Sequence, residues 1–237
     1  MDRICQLTSV GCKTMITAKA FSNGLSRRTV CSGICALLGG CIIAPQGYLS
    51  GGQQGIDPYA SIYGPVADGP YDIPGLDLDL ATNRDLLRQE VAFPSPYRPG
   101  TIVVKIAERR LYLIQRGGRA LRYAVGVGRE EALNFRGSAV IGRKAEWPRW
   151  VPTADMVRLM PNYAAYVSGM PGGLENPLGA RALYLYVGGR DSYFRIHGTI
   201  EPTTIGTAVS SGCIRLFNQD IIDLYNRVPV GTPVVVL

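Results

Sequence analysis

From Thr101 to the end, the chain is a series of short β-branched and aromatic runs punctuated by glycines, a pattern that commits it to a strand-rich fold. Residues 101–106 and 111–114 are expected as strands, and Gly117-Gly118 marks a hairpin turn into a third strand over 120–127. Residues 137–142 form a glycine-bounded apolar run, and 182–187 a further strand that ends at Gly188-Gly189. Phe194-Arg195-Ile196 leads directly into His197, and residues 233–237 close the chain as a last strand. One good helix is expected over Asn218–Arg227, capped by Asn218, with Ile221, Ile222, Leu224 and Tyr225 on one face. The 139 residues from 99 to 237 are ample for one packed, mainly β core, and no internal repeat is visible.

Upstream the composition changes twice. Residues 1–44 read as an export signal: Arg27-Arg28 precede an uncharged run over 29–43 that is too short to span a bilayer. Ser26-Arg27-Arg28 fits a twin-arginine signal loosely, and Met15 is a candidate start that shortens a long leading segment. Leu38-Gly39-Gly40-Cys41 resembles a bacterial lipobox, which makes Cys41 a candidate lipidated residue and membrane tether; ordinary cleavage near Ala44 is the alternative. Residues 45–98, rich in Gly, Pro, Tyr and Gln, lack a hydrophobic period and are expected to be a flexible spacer. Within it a short helix is expected over 83–91 with Thr82 as cap, followed by a proline-stiffened boundary over 93–100.

Charge follows the same division. Residues 1–44 carry net +4, 45–98 net −4 and 99–237 net +7, so the basic character belongs to the C-terminal domain. A basic exported domain attracts an anionic polymer or a carboxylate-bearing peptide. The arginines are scattered and no nucleic-acid motif is present, so nucleic acid is not an expected partner.

The chemistry concentrates in two residues. His197 is the single histidine of the chain, and Cys213 is the single cysteine after Cys41. In an oxidising compartment a lone thiol has no internal disulfide partner, which points to chemistry. A thiol attacks as its thiolate, and a neighbouring imidazole can take the proton. His197 is expected to end one strand and Cys213 to begin the next element, with the intervening loop folding back to bring them within hydrogen-bond reach. Gly212 lets backbone approach the substrate, and the Cys213 N–H with a neighbouring amide is the expected oxyanion site. The Gly198 carbonyl is expected to fix the His197 tautomer. Arg215 is expected to hold a substrate carboxylate, or else to pair with an acid such as Asp220. If His197 must start neutral, acylation should fall on the acid side near pH 6.5, the unperturbed histidine value. One His and one Cys are too few for a metal site, no Cys-x-x-Cys pair accompanies Cys213, and papain-like enzymes place Cys before His. One-thiol acyl transfer or hydrolysis remains, without metal or cofactor.

The combination His197-Gly198-Thr199 … Ser210-Ser211-Gly212-Cys213-Ile214-Arg215 closely resembles the active-site signature of the L,D-transpeptidases, the YkuD-like catalytic domain. The similarity runs over about 99–237 and includes Asn176-Pro177-Leu178-Gly179 and Gly231-Thr232-Pro233-Val234. It implies a β-sandwich with one or two short helices and a cleft under a mobile loop, for which 147–173 is the candidate segment. It also implies a periplasmic enzyme acting on peptidoglycan stem peptides. Cys213 would attack the third stem residue, usually meso-diaminopimelate, and expel D-alanine; another stem or an outer-membrane protein would take the acyl group. His197 carries over as base, Gly212 with Cys213 as oxyanion site, and Arg215 and Ser211 as substrate contacts, with carbapenems as expected covalent inhibitors. Many members have His where Ser211 stands, so a second-histidine role does not transfer. A carboxypeptidase, or a non-catalytic peptidoglycan-binding module on the same fold, are the competing readings.

Overall fold

The computed structural model describes residues 57–77 and 84–237. The expected export segment, Cys41, the first part of the expected spacer, and Thr82 with Asn83 lie outside the described residues. No described helix is long and apolar enough to cross a membrane.

In chain order the elements are α1 (Pro58–Ile62), β1 (Val66–Asp68), β2 (Tyr71–Ile73), β3 (Gln89–Ala92), β4 (Ile102–Lys105), β5 (Arg110–Ile114), β6 (Arg119–Ala124) and β7 (Val127–Gly128). They continue with β8 (Gly137–Glu146), α2 (Ala154–Leu159), β9 (Arg181–Val187), β10 (Arg190–His197), β11 (Ala208–Ser210), β12 (Ile214–Arg215), α3 (Asn218–Arg227) and β13 (Pro233–Val236). The chain is mainly β, as its sequence pattern predicts. Nine strands form one sheet in the order β12-β10-β9-β8-β13-β4-β5-β6-β3, antiparallel except for the parallel pairs β10/β12 and β13/β4. Side chains from β4–β6 and from β8–β10 and β12 share one core cluster, so the sheet folds over onto itself around that core. Backbone bonds between Gly126 and Arg215, both 2.9 Å, tie the segment after β6 to the edge strand β12.

β4 explains why its sequence is apolar without alternation. Ile102, Val103 and Val104 are all buried, because both faces of this central strand are covered. Ile102 and Val104 face the main core, while Val103 joins Tyr112, Ile114 and Ala120 under Val91, Phe93 and Tyr97. Phe93 stacks on Tyr112 with ring centroids 4.3 Å apart.

The described part of 45–98 is therefore not a spacer. It belongs to the same compact unit as the rest of the described chain, and several contacts anchor it. β3 adds an antiparallel strand to β6, replacing most of the helix expected over 83–91, of which only a 3-10 turn at Arg84–Leu86 forms. Tyr63 is buried and donates to Asp220 Oδ1 at 2.9 Å. Asp68 takes a bidentate pair from Arg181, at 2.6 and 2.7 Å. Such partners are far away in sequence, so the segment's missing hydrophobic period conceals a docked strap.

Candidate active site

β10 and β12 build the site. Parallel neighbours need a long crossover, and residues 198–213 supply it, with β11 pairing β7 on the way. The register sets Ile196 opposite Ile214 and His197 opposite Arg215. Leu216 N–H donates to the His197 carbonyl at 2.8 Å and continues the pairing. Cys213, a free and half-buried thiol, immediately precedes β12 and lies against the Arg195 backbone amide. The loop thus brings His197, Cys213 and Arg215 to one sheet edge. No hydrogen bond joins imidazole to thiol among the described residues; contacts of this kind often close only when substrate binds.

His197 Nδ1 lies 2.6 Å from the Gly198 carbonyl. A carbonyl only accepts, so Nδ1 carries the proton and Nε2 keeps its lone pair. Burial, and next the positive charge of Arg215, push the imidazole down to about 4, against the pull of the Gly198 and Leu178 carbonyls. Burial likewise pushes the Cys213 thiol up, although the Arg195 amide and the charges of Arg195 and Arg215 oppose it. The resting pair is neutral imidazole and neutral thiol. An acid limb that depends on His197 is therefore expected near pH 4 rather than near 6.5.

The turn before the nucleophile is held by Ser210. Its buried Oγ accepts from the Gly212 N–H at 3.1 Å and donates to the Cys213 carbonyl at 2.7 Å. The Gly212 amide is thus engaged by Ser210, whereas the Cys213 N–H makes no hydrogen bond among the described residues. Gly212 is needed for another reason. Its φ is +122°, and a Cβ there would collide with the Leu133 carbonyl. Ser211, beside it, is exposed.

Asn218 differs from expectation. It is the first helical residue of α3 rather than its cap, and the capping position, Phe217, has no side-chain cap bond. The Asn218 amide instead accepts from Ala180 N–H and donates to the Thr199 carbonyl, both at 3.0 Å. It locks together the two backbones that flank Gly198, where any Cβ would overlap Asn218 Oδ1. An Asn at the start of a helix looks the same in sequence whether it caps or reaches across the fold, so this role was invisible there. Asn218→Ala leaves these two groups unpaired, and its expected cost is about 1–3 kcal/mol, read by urea unfolding.

Arg215 pairs not with Asp220 but with Glu201, Nη1 to Oε2 at 2.8 Å. Asp220 is buried elsewhere, between Tyr63 and Arg88. A cavity of about 70 Å³ lies at this edge, lined by Tyr163, Pro177, Thr199, Ile200, Glu201 and Arg215. Tyr163 comes from the 147–173 segment, which leaves β8 and returns to β9 and carries α2. Its neck is closed by paired backbone bonds between Trp150 and Met170, at 2.9 and 2.7 Å. Buried Asn176 braces it by donating to Pro148 and Pro171 carbonyls at 3.0 and 2.9 Å. Tyr71 of β2 props the same neck, its ring tilted against Trp147 with centroids 4.3 Å apart and its hydroxyl donating to the Gly172 carbonyl at 2.8 Å.

A family model described as the L,D-transpeptidase catalytic domain matches residues 99–236. A Salmonella typhimurium protein named probable L,D-transpeptidase ErfK/SrfK is 36% identical over 192 residues, covering 78% of this chain and 60% of its own length. The Escherichia coli protein named probable L,D-transpeptidase YbiS is also 36% identical, over 68% of this chain and 52% of its own. The chain thus spans only about half to three fifths of the length of these curated relatives. Among solved structures, a Brucella melitensis chain named a probable carnitine operon oxidoreductase is 47% identical, with TM-score 0.46 over 67% of this chain and 98% of that one.

Proposed function

The chain belongs to the family of L,D-transpeptidase catalytic domains, and from that premise we propose that it is an exported peptidoglycan L,D-transpeptidase with Cys213 as nucleophile. The observation that carries this reading is the parallel β10/β12 pairing, which sets His197, its Nδ1 on the Gly198 carbonyl, on the same edge as the half-buried thiol.

The Cys213 S–H gives its proton to His197 Nε2 as Sγ attacks the carbonyl of the third stem residue. The tetrahedral oxyanion takes the Cys213 N–H, and Arg215 contacts a substrate carboxylate. Collapse breaks the peptide bond, the leaving D-alanine nitrogen takes the proton from imidazolium, and a thioester remains. An amine then attacks the thioester and regenerates the thiol. That amine belongs to a second stem or to an envelope protein. Carbapenems acylate the same sulfur. Ser211, exposed next to the nucleophile, contacts the donor. Export, and tethering through Cys41, put the enzyme at its polymer.

The test is intact mass of the reduced protein after incubation with a disaccharide tetrapeptide and with a carbapenem. A mass gain is expected that disappears in Cys213→Ala. No gain, with the thiol shown to be free, removes the enzyme reading and leaves a binding module.

A further inference from the structure

We propose that Glu201 and Arg215 together form a recognition site for an amino-acid zwitterion on the donor side chain, its ammonium on Glu201 and its carboxylate on Arg215. This rests on the transpeptidase reading and names the ligand chemistry that the same site selects.

The two side chains meet at 2.8 Å at the wall of the small cavity, Arg215 at 23% and Glu201 at 59% side-chain exposure. The cavity has room for a small polar head group. Both backbones are fixed while both charges stay accessible. Arg215 sits in β12, two residues after the thiol, and exchanges two backbone bonds with Gly126 at 2.9 Å. Glu201 N–H donates to Thr199 Oγ1 at 3.0 Å, and its carbonyl accepts from Thr204 Oγ1 at 2.6 Å.

The neighbouring Arg195 shows the contrast. Asp191 holds it bidentately at 2.6 and 2.9 Å, and its guanidinium lies 4.2 Å from the Tyr184 ring. Arg195 is a structural cation. Among the described residues Glu201 is the one side chain paired with Arg215, and through one oxygen. A partly exposed pair of this kind contributes little to stability, so a ligand that brings both charges can separate the pair and leave each partner satisfied. A ligand with only a carboxylate leaves Glu201 to solvent and makes one contact in place of two, and one with only an ammonium leaves the less exposed Arg215 without a partner beside Tyr163. The far end of a diaminopimelate side chain carries both charges on one carbon, which matches two opposite charges presented side by side.

The experiment is a cycle crossing enzyme and donor substitutions, read as D-alanine release (kcat/KM) without an acyl acceptor. The donors are tetrapeptides with diaminopimelate at position three, with the analogue lacking the side-chain ammonium, and with the side-chain carboxamide. Wild type is expected to lose about 10–100-fold on removal of the ammonium, as for a lost charged hydrogen bond. Glu201→Gln, an isosteric change at an exposed position, is expected to lose a similar factor on the diaminopimelate donor and almost nothing more on the ammonium-free one. Equal losses by Glu201→Gln on both donors mean that Glu201 merely positions Arg215, and overturn the proposal. So does a wild type indifferent to the ammonium. If wild type releases D-alanine from no donor while its thiol alkylates normally, the transpeptidase reading itself fails and this one with it.

Discussion

Replacing His197 by glutamine lowers the rate of Cys213 acylation by about 10²–10⁴-fold, the usual contribution of a positioned general base. Glutamine offers no basic nitrogen, so the variant loses the proton acceptor while keeping a polar side chain of similar length. The pH profile is the sharper readout. Burial and the Arg215 charge hold His197 near 4, so wild-type acylation stays flat from about pH 5.5 to 8 and falls only below about 5. In His197→Gln that acid limb vanishes and the residual rate climbs with pH as solvent generates thiolate. An acid limb near 6.5 in wild type contradicts the buried, carbonyl-fixed imidazole. Stability carries the same signature. Between pH 6.5 and about 4 the unfolded chain takes up a proton at His197 that the native state refuses, so native stability declines as pH falls through that window. The full difference amounts to roughly 3 kcal/mol, and His197→Gln removes it.

Asp68→Ala destabilises the fold by about 3–5 kcal/mol, measured by urea unfolding, because it strands a buried guanidinium. Arg181 is 5% exposed, and its two terminal nitrogens reach the two Asp68 oxygens at 2.6 and 2.7 Å. Glu146 lies 3.8 Å from one of those nitrogens and recovers part of the loss, which places the cost toward the lower end. The hydrogen bonds and charge of Arg181 hold the Asp68 carboxyl below its ordinary value of 3.8. Its stabilisation is thus complete above the ordinary carboxylate range and is lost as pH falls below it. The damage reaches the site. Arg181 opens β9, its carbonyl accepts from Gly198 N–H at 3.1 Å, and Nη1 donates to the Ala180 carbonyl at 2.8 Å. Slower acylation should accompany the lost stability. A variant as stable as wild type would mean that the strap does not hold the domain.

Local chemistry accounts for what could be read early. The run 101–106, the Gly117-Gly118 turn and the amphipathic 218–227 helix each carry their instructions within a few residues, and each forms within a residue or two of its expected bounds. His197 and Cys213 were legible because each is alone of its kind across the domain. Errors arose where the partner is remote. Asn218 has cap chemistry but spends it on Ala180 and Thr199. Arg215 finds Glu201, not Asp220, because the crossover, unlike α3, folds back beside β12.

The sequence by itself determined the strand-rich class, the membership signalled by His197-Gly198 and Ser210-x-Gly212-Cys213-x-Arg215, and the presence of a single imidazole and a single thiol in residues 99–237, since residue type and spacing are local properties. Only the tertiary structure decided that residues 57–77 and 84–98 dock as a strap, that the imidazole rests neutral near 4, and that Arg215 shares its pocket with Glu201. Burial and charge pairing depend on which surfaces meet in space, and a parallel crossover or a buried ion pair joining residues 68 and 181 leaves no periodic trace in either stretch of chain.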